Sequence, residues 1–470
     1  MTFAEIVKIV DDFAWGPVML ILLVGTGLYL SIRMGFMQFT RFGYAMKNTL
    51  GKIFNKQEAG HGEVTPFQAM TTALAGTVGT GNIAGVTGAI FIGGPGAVFW
   101  LWLSALVGMV TKYSEVVLAV KYRERNAHGD WVGGPMYYIK NGLGRNWTWL
   151  AYIFAFFAMV ASFGIGNTTQ VDSIATAIGT AVSAFGGDAG STAFRIVIGV
   201  IVAVFAAAVI LGGIKRIGAV TEKLVPFMAV VYILASLIVI IGNIGQIGAV
   251  LSAIFVGAFS PRAIAGGALG VGIMTTIQKG IARGVFSNEA GLGSAPIAHA
   301  ATSETDPVKQ GIYGIFEVFM DSIVICTLTS LALLMGLSGQ FGIDGIEWGV
   351  SHGSEMVVTA FSGIFGGKLA AIIIAVGLSL FALSTILSWS LYGTRCCEFL
   401  FGKASPIATK VYKVLFCVVL VIGSLMGLDI VWDIGDALNG LMALPNLVAL
   451  LLLSGTVIDA TKEHFRKEDR

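Results

Sequence analysis

The chain has 470 residues, of which 56% are hydrophobic and only 12% are charged, and its mean hydropathy is +0.83. A typical soluble domain carries about 25% charged residues, so this composition indicates a polytopic membrane protein. It excludes nucleic-acid-binding proteins, secreted disulfide scaffolds and disordered chains.

Hydropathy predicts eleven membrane-spanning segments, separated by polar loops that contain Gly and Pro. Acidic residues precede the first apolar run, so no cleaved signal peptide is expected. The stretch 338–367 is expected to form a long loop with room for a short helix. The predicted spans cover residues 13–33, 66–92, 96–120, 147–182, 193–213, 224–242, 264–300, 308–337, 368–392, 408–428 and 436–458.

Lys and Arg indicate the orientation, because cytoplasmic loops are enriched in them. Of the 29 Lys and Arg residues, 22 fall on one side of the eleven-span arrangement, four on the other side and three within spans. This asymmetry supports the span count. It predicts an N-terminus outside the cell and a cytoplasmic C-terminal tail at 459–470.

The span 66–92 is unlike an ordinary membrane helix. From Ala75 to Gly85 it holds four glycines interleaved with Thr and Asn, which disfavours a continuous helix. One interpretation is a helix broken at mid-membrane, whose freed N–H and C=O groups bind a ligand. A second is close helix packing through small residues. A third, a nucleotide-binding glycine turn, lacks the surrounding βαβ unit.

The segment 264–300 is the second unusual one, because 37 residues exceed a single straight span. A break near Gly270–Thr276 is expected to divide it into two half-helices. If 13–33 is an accessory helix, the two interrupted segments are the first and sixth of ten. The predicted fold is therefore an all-α membrane protein with two inverted five-helix repeats, 66–242 and 264–458, an arrangement typical of secondary transporters.

Five motifs stand out along the chain: GTGN at 79–82, GGPMYY at 133–138, FGIGN at 163–167, GVFSNEAGLGSAPIAHA at 284–300 and STILSW at 384–389. Together they resemble the alanine/glycine:cation symporter family over nearly the whole chain. The resemblance implies sodium-coupled, or in some members proton-coupled, uptake of alanine or glycine across a bacterial or archaeal inner membrane. It also implies a leucine-transporter-like fold of five plus five inverted helices with one extra N-terminal helix.

The implied substrate is a small zwitterion. Its carboxylate would bind donors at the positive end of a half-helix in the first break, and its ammonium would bind carbonyls of the second break. The Gln170 amide would form a polar wall, and the aromatic side chains of Phe163 and Trp389 would close the pocket. Alternatively, the amide could form a hydrogen bond between helices, and the two aromatic side chains could simply pack against their neighbours. The candidate substrate-binding residues are Gly79, Thr80, Gly81, Asn82, Phe163, Gln170, Gly270, Gly272, Thr275 and Trp389.

A sodium ion is the expected co-transported species, and it requires hard oxygen ligands. The carbonyls of Ala75 and Val78 precede the first break. Similar folds place a hydroxyl pair where this chain has Ser384 and Thr385. The competing interpretation is that these hydroxyls only bond to a carbonyl one turn earlier in their own helix.

Ionisable side chains inside spans suggest function by default. Glu317 and Asp321 lie four residues apart on one predicted helix face. We expect them to pair with Lys279 or Arg283, either as a cytoplasmic gate or as a static network.

Two other acidic residues, Glu115 and Asp172, lie within predicted spans. Glu115 is three residues from Lys112, and the two are expected to pair. Asp172 and Glu317 are the carboxylates to test if coupling is to protons.

The favoured function is a secondary active symporter, which is not an enzyme. A passive channel is disfavoured, because selectivity filters usually rely on subunit symmetry or charged rings. An intramembrane enzyme would need a catalytic constellation at membrane depth, and the histidines fall mostly in loops or at segment ends. The expected partners are a small neutral amino acid and the bilayer, with no nucleic acid and no evident obligate protein partner. The alternative is a proton-coupled symporter, or one for a larger amino acid, with the same fold.

Overall fold

The computed structural model describes residues 3–52, 63–260, 272–350, 352–402, 405–425 and 429–468. These residues are overwhelmingly helical. Nine of the described helical stretches are long and apolar enough to cross a membrane, or ten if one bent pair counts as a single span.

The first part of the chain contains thirteen described helices. They are α1 (Phe3–Ala14), α2 (Pro17–Arg33), α3 (Met37–Thr40), α4 (Phe42–Thr49), α5 (Pro66–Thr77), α6 (Ala84–Gly93), α7 (Ala97–Lys121), α8 (Pro135–Tyr138), α9 (Thr148–Phe163), α10 (Thr169–Ala184), α11 (Thr192–Ile210), α12 (Gly213–Gly242) and α13 (Ile247–Phe259).

Nine more helices are described in the rest of the chain. They are α14 (Ile273–Asn288), α15 (Pro296–His299), α16 (Pro307–Val318), α17 (Thr327–Phe341), α18 (Ser354–Phe365), α19 (Gly367–Phe401), α20 (Ser405–Gly423), α21 (Asp429–Leu452) and α22 (Ser454–Glu468). A wide helical turn at Phe319–Cys326 joins α16 to α17 into one apolar stretch.

One small antiparallel hairpin interrupts the helices after α7. Its strands are β1 (Glu124–Arg125) and β2 (Trp131–Val132), with Glu124 opposite Val132. Arg125 lies over the Trp131 ring at 4.1 Å.

The structure changes two of the predicted segment boundaries. The predicted loop 215–223 is helical, because α12 already begins at Gly213. In the segment 264–300, Gly270 lies outside the described residues and α14 is regular from Ile273 onward. The described interruption comes later, at 289–294. The predicted location of the second break, near Gly270–Thr276, was therefore wrong for the residues from Ile273 onward.

The helix α7 lies at the centre of the molecule. It packs against α16 and α14, while α19 packs against α10, α9 and α5. The residues of α7 from Gly108 to Val120 are all buried. By contrast, apolar side chains such as Val204 on α11 and Ile407 on α20 are largely exposed. This distribution fits a helical bundle whose polar groups face inward and whose apolar surface faces lipid.

Candidate functional site

The first interrupted helix is the α5–α6 pair, which is bent by 56°. α5 ends at Thr77, the backbone is extended at Gly79, and the short turn Thr80–Asn82 leads into α6. The Asn82 side chain closes this turn by accepting a hydrogen bond from the Gly79 N–H at 2.8 Å. Carbonyls at the end of α5 therefore lack their usual helical partners and are available to side chains or ligands.

Four oxygen atoms predicted to be sodium ligands converge at this interruption. The Thr385 hydroxyl donates to the Ala75 carbonyl at 3.1 Å, and Ser384 Oγ lies 3.5 Å from the Val78 carbonyl. Both hydroxyls also lie near the Phe381 carbonyl, at 2.8 Å for Ser384 and 3.1 Å for Thr385. All of these residues are buried. The result is a buried cluster of five oxygens, which suits a hard cation.

Gly79 is a glycine because this cluster occupies the space of a side chain. A Cβ atom at Gly79 would lie 2.5 Å from the Thr385 hydroxyl oxygen. Its φ of −133° is accessible to any residue, so the constraint is steric rather than conformational. The neighbouring Gly81 has room, since a Cβ there would meet the Phe286 ring at an ordinary 3.6 Å.

Asn82 connects the same turn to a fully buried carboxylate. Its amide nitrogen donates to Asp321 at 2.6 Å, and the hydroxyls of Ser287 and Ser322 each donate to Asp321 at 2.8 Å. In the described part of the chain, no Lys, Arg or His lies within ion-pair distance of Asp321. Hydrogen bonds from neutral donors therefore satisfy this carboxylate.

Gln170 lies on the other side of the turn. Its side-chain oxygen accepts a hydrogen bond from the Thr80 hydroxyl at 3.2 Å, and its nitrogen donates to the Ile165 carbonyl at 2.8 Å. That carbonyl is accessible because a wide helical turn at Gly164–Thr168 interrupts the regular hydrogen bonding between α9 and α10. Gln170 thus bridges the two irregular stretches of backbone.

A cavity of about 400 Å³ opens beside this turn. Thr80, Gly81 and Gln170 line it, together with two cations and two acids from other helices. The charged lining residues are Asp11, Lys279, Arg283 and Asp436. The cavity is large enough for a small zwitterion, and both positively and negatively charged side chains line it.

The Arg283 side chain packs against α6 at Gly85. A Cβ at Gly85 would be 2.3 Å from the Arg283 guanidinium, so the guanidinium fits there only because residue 85 is glycine. The guanidinium carbon also lies 4.8 Å from the centroid of the Phe286 ring. The side chain is therefore packed along the cavity wall.

The second interruption follows α14. Positive φ angles at Glu289, Gly291 and Gly293 reverse the chain before α15 begins. The Glu115 carboxylate accepts hydrogen bonds from the Gly291 N–H at 3.1 Å and from the Asn446 amide at 2.5 Å. Side chains from α7 and α21 therefore satisfy this stretch of backbone.

The predicted pairing of Glu317 with Lys279 or Arg283 was wrong. Glu317 lies 3.3 Å from Lys112 and 3.0 Å from His299, in a fully buried group. The predicted ion pair between Lys112 and Glu115 is also absent among the described residues, where Lys112 pairs with Glu317. The physical reason is that α7 packs directly on α16, whereas Lys279 and Arg283 face the cavity.

Gly79 and Asn82 belong to the turn beside the cavity but do not line it, and four further predicted substrate-binding residues lie outside both the turn and the cavity lining. Phe163 packs against Tyr412, with ring centroids 5.1 Å apart. The Trp389 indole is buried and donates to Glu289 at 3.0 Å. Gly272 precedes α14 and Thr275 lies in its first turn, both half-buried. The structure thus gathers the first-break residues, Gln170 and the hydroxyl pair, but it does not add these four to the cavity wall.

The sequence interpretation missed two contributors to the site. Ser287 was seen only as part of a family motif, although it contacts Asp321. Phe381 contributes a carbonyl, and no side-chain pattern reveals which main-chain oxygen faces a hydroxyl pair. A possible sequence signal for Phe381 was its position three and four residues before Ser384 and Thr385, the spacing at which helical hydroxyls reach carbonyls.

Comparison with known proteins gives a consistent result. The sequence model of the sodium:alanine symporter family matches residues 1–470. The chain is 45% identical over 465 residues to the sodium/alanine symporter AgcS of Methanococcus maripaludis, covering 98% of this chain and 97% of that protein. It is 44% identical over 471 residues to an uncharacterized transporter of Haemophilus influenzae, covering 99% and 97% respectively.

A solved structure shares the fold. The crystal structure of MhsT in complex with L-phenylalanine aligns with a TM-score of 0.60 and 13% identity, covering 85% of this chain and 98% of that one. At this identity the likeness concerns the fold alone. It supports a leucine-transporter-like helical architecture.

Proposed function

The chain belongs to the sodium:alanine symporter family, and we propose that it couples inward sodium movement to the uptake of alanine or glycine. Its family and relatives are transporters rather than enzymes. The observation that carries the proposal is the convergence of the Ala75 and Val78 carbonyls with the Ser384 and Thr385 hydroxyls. These groups belong to two different helices and meet only at the interruption of α5.

Sodium binding would join α5 to α19. In the described conformation the two hydroxyls act as donors to carbonyls. A sodium ion among the same oxygens would take over the carbonyls, and the hydroxyls would turn their lone pairs toward it. Because Gly79 and Thr80 directly follow Val78, fixing that carbonyl would also fix the turn that contacts the substrate. This connection is the proposed physical basis of coupling.

The substrate would bind where the cavity meets the turn Thr80–Asn82. The N–H groups at the start of this turn have no preceding helical turn to accept their hydrogen bonds, which suits a carboxylate. The Gln170 side-chain oxygen is a candidate acceptor for the ammonium group. The carbonyls of Gly270, Gly272 and Thr275 stay a prediction from sequence for the same role, and Gly270 lies outside the described residues.

The gate is also proposed in a changed form. Lys279 and Arg283 line the cavity together with Asp11 and Asp436. The charge pattern predicts that the N-terminus is outside, so this group would close the extracellular entrance rather than the cytoplasmic one. Its charges would pair over a bound substrate and exclude water.

The remaining architecture is proposed from sequence. It comprises an accessory helix at 13–33, inverted repeats at 66–242 and 264–458 giving eleven spans in all, and a cytoplasmic tail at 459–470. The proposed location is the inner membrane of a bacterium or archaeon. The supporting observations are the 22-to-4 distribution of Lys and Arg and the bent α5–α6 pair.

Proton coupling is the second candidate, and Asp321 is the observation that favours it. A fully buried carboxylate that touches the first interruption, with only neutral donors around it, could exchange a proton during transport. Asp172 is a weaker candidate than the sequence suggests, because it forms an ion pair with Arg195.

The deciding experiment is uptake of radiolabelled alanine into proteoliposomes under separate gradients of sodium, potassium and protons. We expect uptake only with an inward sodium gradient, and inhibition by glycine but not by leucine. Inhibition by leucine would favour the larger-substrate alternative.

A pair of variants distinguishes sodium coupling from proton coupling. Thr385→Ala should weaken the sodium dependence, whereas Asp321→Asn should preserve sodium-driven uptake. Uptake driven by a pH gradient alone, and lost in Asp321→Asn, would replace the sodium proposal with proton coupling. Absence of uptake under every gradient by folded protein would reject the substrate assignment.

A further inference from the structure

Two cavities lined by residues other than those of the candidate site share one lysine. The first, of about 320 Å³, lies between the hairpin β1–β2, the end of α19 and the start of α20. The second, of about 350 Å³, is a groove between α11 and α20 lined by aliphatic side chains and Cys417. Lys413 lines both cavities. Lys413 therefore lies between a polar chamber and an apolar groove and contacts both.

The polar chamber carries a net positive charge. Arg395 is already paired, with Glu398 at 2.7 Å and with Asp130 at 3.2 Å. This leaves Lys410 and Lys413, and in the described part of the chain neither has a carboxylate within ion-pair distance. Three cations against two acids give an excess of one positive charge, concentrated on the two lysines of α20.

The apolar groove has the character of an acyl-chain site. Its walls include Val204, Val414 and Val418, which are 65%, 59% and 48% exposed. Ala203 and Ala207 on the facing helix lack bulk, which makes the depression between α11 and α20. Lys413 is the single charged side chain among the groove's described lining residues.

The depth of the lysines matches a headgroup region. Lys410 and Lys413 follow the start of α20 at Ser405 by five and eight residues, or about 8 and 12 Å along the axis at 1.5 Å per residue. The long Lys side chain can extend from there to the interface. The same end of the bundle carries the hairpin and is predicted to be cytoplasmic, where anionic lipid is attracted by basic residues.

We propose that this combined cavity binds one anionic phospholipid, with its phosphate held by Lys410 and Lys413 and one acyl chain lying in the α11–α20 groove. The inference rests on the proposed membrane orientation but not on the identity of the transported substrate. Lipid binding is measured without transport, so the two proposals fail separately.

The test is native mass spectrometry and thermal stability of the purified full chain, titrated with phosphatidylglycerol or phosphatidylcholine of the same acyl chains. We expect tighter binding of phosphatidylglycerol. Lys410→Gln and Lys413→Gln should each reduce that preference about fivefold, from roughly 1 kcal/mol per lysine near an anionic lipid surface. Lys309→Gln, an exposed lysine on another helix, is the matched control and should leave the preference unchanged.

A second variant tests the groove without changing the charge. Val418→Trp should obstruct the acyl chain and weaken binding of both lipids, while inorganic phosphate should give no stabilisation at matched concentration. Equal binding of the two lipids, or an unchanged preference in both lysine variants, would overturn the proposal. Stabilisation by inorganic phosphate equal to that by phosphatidylglycerol would assign the lysines to a free anion and also overturn it.

Discussion

The two helix interruptions use glycine in different ways. Gly79 has a negative φ and is required because the Thr385 hydroxyl occupies the place of a Cβ. Gly291 and Gly293 have φ values of +91° and +86°, which L side chains rarely adopt. The first interruption therefore needs space alone, whereas the second needs a left-handed backbone conformation in addition to space.

Their polar partners also differ. The hydroxyls at the first interruption are neutral groups that can turn from donating to accepting. At the second, the carboxyl group of Glu115 accepts from the Gly291 N–H and from Asn446, which itself donates to the Gly291 carbonyl at 2.9 Å. Under the proposed function, a cation would replace the first set of hydrogen bonds and leave the second set in place. Substitutions should therefore separate ion binding from stability.

The largest effect is expected for Gly79→Ala. The added methyl group must displace the Thr385 hydroxyl, and overpacking of this kind costs about 1–3 kcal/mol, or roughly five- to 150-fold in a binding constant. We expect the apparent sodium affinity in proteoliposome uptake to fall by that factor. Gly81→Ala is the control in the same turn and should change the affinity by less than about threefold, because its Cβ makes only ordinary contacts. Equal effects of the two variants would contradict the steric role of Gly79.

Gly291→Ala should have the opposite profile. A positive φ costs an L residue about 1–2 kcal/mol, and the new Cβ would also approach the Leu23 side chain at 2.7 Å. We expect a lower midpoint of thermal inactivation with unchanged sodium affinity in the surviving protein. Gly245→Ala should leave both quantities unchanged, because this position has open space and no positive φ. A shift in sodium affinity without loss of stability in Gly291→Ala would remove the distinction between the two interruptions.

The sequence predicts the first interruption well because its signals are local. Gly79 and Gly81 disfavour helix, and Asn82 caps its own turn only three residues away. The hydroxyl pair at Ser384 and Thr385 was located through family resemblance, since no local pattern connects it to α5. The structure brings these two segments together across about 300 residues of chain.

The described interruption at 289–294 was not predicted, whereas of the predicted break near Gly270–Thr276 only the part from Ile273 onward is shown to be helical, and Gly270 lies outside the described residues. The segment 264–300 has glycines near both ends, and local propensity does not choose between them. The choice depends on Glu115 and Asn446, which come from α7 and α21. Lys112 was likewise assigned its nearest acid in sequence, whereas packing of α7 on α16 brings Glu317 to it instead. Contacts between helices distant in sequence therefore determine both the described interruption and the ion-pair partner of Lys112.

Thr385→Ala sharpens the comparison within the first interruption. It removes a hydroxyl that lies 3.1 Å from the Ala75 carbonyl. Loss of one such ligand is expected to cost about 1.4 kcal/mol, or about tenfold in apparent sodium affinity. Thr385→Ser keeps the oxygen and should restore the affinity to within about threefold of the parent. Failure of Ser to rescue would mean that the methyl group, and not the hydroxyl, is what this position contributes.

Ser384→Ala should have the smallest effect. Its hydroxyl is 3.5 Å from the Val78 carbonyl, which is too long for a strong hydrogen bond, and it is also engaged with Phe381 on its own helix at 2.8 Å. We therefore expect a reduction in sodium affinity of about two- to fivefold, or roughly 0.5–1 kcal/mol, measured in the same uptake assay. The ratio of the two alanine variants then tests how closely the described conformation approaches the sodium-bound one. If Ser384→Ala weakens binding more than Thr385→Ala does, the Val78 carbonyl and Ser384 must close on each other when sodium binds, and the first interruption moves during coupling. If the order is as predicted, the oxygen cluster is largely preformed, and the motion that couples sodium to substrate must lie in the turn Thr80–Asn82 instead.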